Sequence, residues 1–226
     1  MQSSKCESVN TTTQGILARG DEWNIMMEEP NRTHQVEEIL KDLMSAMNWD
    51  DDPNFKDTPK RVAKWLEVYQ GLSKGQVEES IQRHLKAKFP TNNKGLIIQD
   101  PIKAFSMCPH HMLMIEYDVY VGYVPDGEAI GLSKLSRIAI DMARYPYIQE
   151  DYTTHLAEAL LRGIQCKGTM VVVKGVHNCM RCRGVKQPGA VTTTSAITGV
   201  FAYPPKGLNP RQEFLDLLKI GQYRIN

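Results

Sequence analysis

Between Leu96 and Phe201 the hydrophobic period of this chain changes in an order that leaves few folds open. Leu96-Ile97-Ile98 and the run from Leu113 to Val124 are β-branched and aromatic, and the second run ends at a Pro125-Asp126-Gly127 turn. Helical spacing then takes over at about 133–144 and again at about 151–165. A strand over 169–176 and a Thr-rich strand over 191–201 follow. The order strand, strand, helix, helix, strand, strand predicts an α+β fold: an antiparallel sheet with helices packed on one face, not alternating βαβ units.

A helical segment precedes the sheet. Val36, Ile39, Leu40, Leu43, Met44 and Met47 recur at three- and four-residue steps and predict a helix from Thr33. Asp57-Thr58-Pro59 predicts a second start, with Thr58 as N-cap and Pro59 as first helical residue, and the helix ends near Gly71. A weaker helical stretch covers about 76–88, and Asn209-Pro210 caps a short C-terminal helix at 211–219. The chain therefore divides into an N-terminal arm (1–32), polar and expected to be flexible, a helical segment (33–94) and an α+β domain (95–226).

The reactive side chains gather in two short segments, Cys108-Pro109-His110-His111 and His177-Asn178-Cys179-Met180-Arg181-Cys182-Arg183. Thiolate and imidazole are the usual ligands of zinc. Cys108 and His111, three residues apart, can turn toward one ion from a tight turn, and His177 and Cys179, two apart, share a side of an extended backbone. Two arrangements stay open. Cys108, His111, Cys179 and Cys182 close a four-ligand structural knuckle, or three of them bind the ion and leave a position for water. In the second, His110 and His177 are natural proton carriers beside it. Gly131-Leu132-Ser133-Lys134-Leu135-Ser136-Arg137 favours the second arrangement, because it predicts a helix start with Ser133 as N-cap and Lys134 and Arg137 on its first turn, a setting for an anion. Gln149-Glu150 stands at the next helix start, where a carboxylate either favours the helix dipole or accepts two N–H groups from a purine edge.

In order along the chain, Thr58-Pro59-x-Arg61-Val62-Ala63-Lys64, Cys108-x-His110-His111, Gly131-Leu132-Ser133-Lys134-Leu135-x-Arg137, Gln149-Glu150, His177-x-Cys179-x-x-x-Arg183-Gly184 and Thr192-Thr193-Thr194-Ser195 leading to Gly199-Val200-Phe201 resemble GTP cyclohydrolase I. The resemblance spans roughly 33–220. It implies the tunnelling fold, a homo-oligomer (a decamer of two stacked pentameric rings) with active sites between subunits, and the reaction of GTP and water to 7,8-dihydroneopterin triphosphate and formate. It implies zinc as cofactor, held by Cys108, His111 and Cys179, and His110, His177 and Ser133 as catalytic residues. Glu150 and Gln149 would read the guanine edge. Ser133, Lys134, Arg137 and Arg183 would hold the triphosphate, with Arg61 and Lys64 from a neighbouring subunit. Two departures stand out: Pro109, where the family commonly has Glu, and Cys182, read as a bystander.

Composition narrows the alternatives. With 27 basic and 26 acidic side chains the chain lacks the basic excess of a protein that coats nucleic acid, so no nucleic-acid partner is expected. No apolar run approaches the ~20 residues that span a bilayer, and the polar N-terminus lacks the apolar core of a signal peptide, so no membrane partner and a cytoplasmic location are expected. Five cysteines, an odd count, suit metal ligands and core thiols better than a disulfide framework. Two rival functions remain: the same GTP site releasing an earlier ring-opened or formylated intermediate, and a non-catalytic zinc-stabilised binding module. The product would feed pterin, folate or deazaguanine biosynthesis.

Overall fold

A computed structural model of the chain describes residues 32–221; the N-terminal arm expected at 1–32 therefore lies, but for its last residue, outside the described residues. Three helices come first: α1 (Arg32–Ala46), α2 (Thr58–Gln70) and α3 (Lys74–Leu85). A short strand β1 (Lys88–Pro90) leads to the long pair β2 (Ile97–Met107) and β3 (Met114–Val124), followed by β4 (Glu128–Ile130). Then come α4 (Leu132–Ala143), α5 (Gln149–Ile164), β5 (Gly168–His177), a single turn α6 (Asn178–Arg181), β6 (Thr192–Ile197) and α7 (Pro210–Gly221). The main sheet is antiparallel throughout, in the order β2-β3-β5-β6, while β1 and β4 pair separately. The α+β reading holds, and no helix among the described residues is long and apolar enough to cross a membrane.

Alternation along the strands decides what each face buries. Ile115, Tyr117, Val119, Val121 and Tyr123 of β3 and Val171 and Val173 of β5 point toward α4 and α5, where Leu135, Ile138, Leu156 and Leu160 complete the principal core. Burying side chains of this size is the main favourable contribution to the fold, about 1.5–3 kcal/mol each. The opposite face is divided. One end is covered by α7, whose Phe214 packs with Met170 and Phe201 and lies so close to Gly122 that a Cβ there would sit 2.6 Å from its ring. The other end is polar, with Lys103 paired to Asp118 and Lys174 over the Tyr120 ring.

One irregularity positions the site. Gln99 pairs with Val121 but Ile102 with Val119, so three steps of β2 oppose two of β3. This bulge reverses the alternation of β2, and beyond it Ile102, Ala104 and Cys108 face the helices.

Several local expectations need correction. Helix α2 begins at Thr58, with Asp57 in the cap position and its carboxylate 3.4 Å from Arg61 instead of on the helix N–H groups. Ser133 is not the N-cap of α4: Gly131 is, because its N–H donates to Ala87 O (3.0 Å) and keeps the chain extended one residue past β4. The helical stretch expected to reach Lys88 stops at Leu85, after which β1 pairs with β4. The strand expected only at Leu96-Ile97-Ile98 runs on to Met107, since Pro101 falls in the bulge, where the ladder is already interrupted. Helix α3 is tied to α4 by Asp141 Oδ2, which lies 2.5 Å from Ser80 Oγ and 3.0 Å from His84 Nε2.

Candidate metal centre and active site

The C-terminal ends of β2 and β5 and the start of β3 meet at one end of the sheet, where Met107 pairs with Met114 and Ile115 with His177. Between β2 and β3 the chain turns tightly: Cys108 N donates to Leu113 O (2.9 Å), and Cys108 O accepts from His111 N (3.3 Å) and Met112 N (2.9 Å). Pro109 takes the first inner position of this turn, where a φ fixed near −65° is preferred and no N–H is required. Its presence is thus compatible with the geometry that carries Cys108 and His111. On the other side, β5 ends at His177 and α6 begins at once, so Cys179 sits on a helical turn. The extended backbone expected for His177-x-Cys179 is replaced by this strand-to-helix junction, which sends the two side chains to different neighbours.

Those elements bring Cys108, His111 and Cys179 together, with one donor atom of each within 4.8 Å of the others; among the described residues no other such group is present. Cys108 Sγ is 3.4 Å from His111 Nδ1. Ligand atoms around a tetrahedral zinc at 2.0–2.3 Å are separated by about 3.5 Å, so the donor set and spacing fit that ion. Burial, and next the adjacent Cys108 thiol, push the Cys179 thiol above its ordinary range, while Arg183 pulls it down.

The two other histidines stand outside the group. His110 is exposed, its Nδ1 4.0 Å from Cys108 Sγ and its ring 6.1 Å edge-on from that of His111. His177 is half-buried, and its Nε2 lies 2.7 Å from Gln149 Oε1. Burial lowers its pKa from the ordinary value, and Glu150 opposes that shift. Glu150 is exposed in the first turn of α5, whereas its neighbour Gln149 is buried and turned inward. Tyr117 lies below, stacked on Tyr152 and edge-on to His177 at 6.5 Å. Burial, then Glu150 and Cys108, raise its phenol well above the ordinary range. Sequence reasoning missed Tyr117 and Gly175 as parts of this site; the signal for the second was an isolated glycine inside a strand.

Cys182 is exposed, donates to Asn178 O (3.0 Å), and is not in the group. Cys182→Ala is therefore expected to leave the zinc content per chain unchanged after desalting, as read by elemental analysis; a loss of half or more would make it a ligand.

Of the residues expected to bind an anion, those on α4 lie elsewhere. Ser133 and Arg137 are exposed and Lys134 half-buried on the first turns of α4. Ser136 in that turn accepts a hydrogen bond from Gln99 (2.7 Å), which pairs with Val121, seven residues along β3 from Met114. At 3.3 Å per residue this is about 23 Å from the metal end of the sheet. Arg183 follows α6 in an exposed segment beside the cysteines, and Arg61 and Lys64 are exposed on α2. One chain thus does not bring its α4 start to its own cysteine-histidine group.

The family model described as GTP cyclohydrolase I matches residues 34–219. GTP cyclohydrolase 1 of Halalkalibacterium halodurans is 41% identical over 190 residues, covering 82% of this chain and 96% of the relative. That of Bacillus subtilis is 39% identical over 180 residues, covering 77% and 90%, and that of Geobacillus kaustophilus 37% over 190 residues, covering 82% and 96%. Among solved structures, the apo form of the archaeosine synthase QueF-Like aligns with 46% of this chain and 93% of its own, at 18% identity and a TM-score of 0.38.

Proposed function

Since this chain belongs to the GTP cyclohydrolase I family, we propose that it converts GTP and water to 7,8-dihydroneopterin triphosphate and formate at a zinc centre held by Cys108, His111 and Cys179. The observation that carries this reading is the three-residue donor group with two further histidines beside it that are not part of it. Three protein ligands are what a catalytic zinc has, whereas a structural zinc has four. Zinc bound there would acidify water so that a nucleophile is available near neutral pH.

The remaining work falls to side chains. Glu150, exposed at the start of α5, accepts hydrogen bonds from the guanine edge, with Gln149 beneath it. His110 gives a proton to N7 as the imidazole ring of GTP opens, and His177 moves protons in the later steps. Ser133 acts near the sugar during ribose opening and rearrangement. Arg183 beside the cysteines and Ser133, Lys134 and Arg137 brought by a neighbouring subunit hold the triphosphate, joined by Arg61 and Lys64, also from a neighbouring subunit.

The roughly 23 Å between the α4 start and the metal end supports sites completed by neighbouring chains. Strands β2 and β6 each have one edge without a strand partner among the described residues, and joining such edges head to tail closes a ring. We assign the assembly as two stacked pentameric rings, which light scattering tests. The division into 33–94 and 95–226, a cytoplasmic location and a product feeding pterin, folate or deazaguanine synthesis belong to the same reading.

The test is direct. Zinc-loaded full-length protein mixed with GTP is expected to release formate and, after oxidation, a fluorescent pterin in equal amount. Formate without pterin turns the reading to early release of a deformylated, ring-opened intermediate. GTP consumed with neither product means release of the formylated intermediate, and GTP left intact overturns the reading in favour of a zinc-stabilised binding module.

A further inference from the structure

We propose that Gln149 is a positioning residue that fixes the orientation and tautomer of His177, placing the ring proton on Nε2 and leaving Nδ1 as the ring's free acceptor. This rests on the functional reading above only in assigning His177 to the reaction; the tautomer follows from hydrogen-bond geometry. Gln149 is 2% exposed. Its Nε2 lies 3.1 Å from Val173 O, 3.0 Å from Thr192 O and 3.1 Å from Thr194 Oγ1. Two of these are carbonyl oxygens, which only accept, so the amide cannot be turned the other way round.

The hydroxyls agree with that direction. Thr153 Oγ1 donates to Gln149 O (2.7 Å), which obliges Thr194 Oγ1, 2.6 Å away, to donate to Thr153 and keep a lone pair for Gln149. With its nitrogen so committed, Gln149 presents Oε1 to His177 Nε2 at 2.7 Å. An amide oxygen carries no hydrogen, so Nε2 of His177 is the donor, and in the neutral ring Nδ1 is then the acceptor.

The fit depends on Gly175. A Cβ at that position would fall on Gln149 Oε1 and within 3.1 Å of His177 Nε2, so only glycine leaves room for the bond. The sheet therefore supplies both the anchor for the amide, through Val173 O and Thr192 O, and the gap through which the amide meets the imidazole.

The tautomer is read without GTP, by long-range 1H–15N correlation of histidine-labelled, zinc-loaded protein. His177 is expected to show a protonated Nε2 and an unprotonated Nδ1. An Nδ1–H pattern overturns the assignment, whatever the protein does with GTP. Gln149→Leu removes the acceptor but also strands two buried carbonyls, so Gly175→Ala is the second variant, leaving the amide's chemistry intact and displacing its oxygen. Both are expected to lose the single-tautomer pattern. In Gly175→Ala, kcat on GTP should fall about 10- to 100-fold, with KM and zinc content unchanged, because a misplaced catalytic group costs of this order. A Gly175→Ala enzyme with altered tautomer and full kcat would overturn the positioning role. Absence of GTP turnover in the unaltered protein would count against the function alone.

Discussion

His111→Ala is expected to yield a folded protein that no longer retains zinc. In the proposed site the imidazole supplies one of the three donors grouped among the described residues, and its loss leaves Cys108 and Cys179 as two adjacent thiols. Loss of an outer-shell partner alone costs a metal site about 10- to 100-fold in affinity, and loss of a ligand costs more. His111 is exposed, so the substitution removes no core packing and the far-ultraviolet signal should not change. Elemental analysis after desalting should fall from about one zinc per chain to less than about a tenth, with turnover of GTP reduced at least about 100-fold. Retention of full zinc would remove His111 from the ligand set.

His110→Ala, one residue away, should separate the two functions of this turn. Its ring is exposed, and its Nδ1, 4.0 Å from Cys108 Sγ, belongs to no three-residue donor group. Zinc content should therefore stay at that of the unaltered protein. A positioned general acid contributes about 10²- to 10⁴-fold, so kcat should drop by that amount while KM changes little. Loss of the metal from this variant, together with its retention in His111→Ala, would exchange the two assignments. Wild-type kcat would leave His110 without a part in the proton transfers.

The fold was legible wherever side chains repeat with a period. The β-branched and aromatic run at 113–124 and the helices at about 133–144 and 151–165 were readable to within a residue or two of Met114–Val124, Leu132–Ala143 and Gln149–Ile164, because each element turns one face to the core. The bulge between Gln99 and Ile102 was not, since nothing in a run of apolar residues marks where one step of a ladder is skipped. Nor was the pairing of β1 with β4, two three-residue strands too short to show a period. That pairing moved the cap of α4 from Ser133 to Gly131.

The sequence by itself determined the chemistry of the site. Residue types and spacings in Cys108-x-His110-His111 and His177-x-Cys179 name the possible ligands and proton carriers, because thiols and imidazoles keep their chemistry in any fold. Only the tertiary structure decided which side chains meet. The β-bulge turned Cys108 to the helix face, the strand-to-helix junction carried Cys179 to it, and Cys182 fell outside. It also turned Gln149 inward to His177 while Glu150, its neighbour in sequence, stayed exposed. On the first turn of a helix adjacent residues point about 100° apart, and only the sheet beneath fixes which of them is buried.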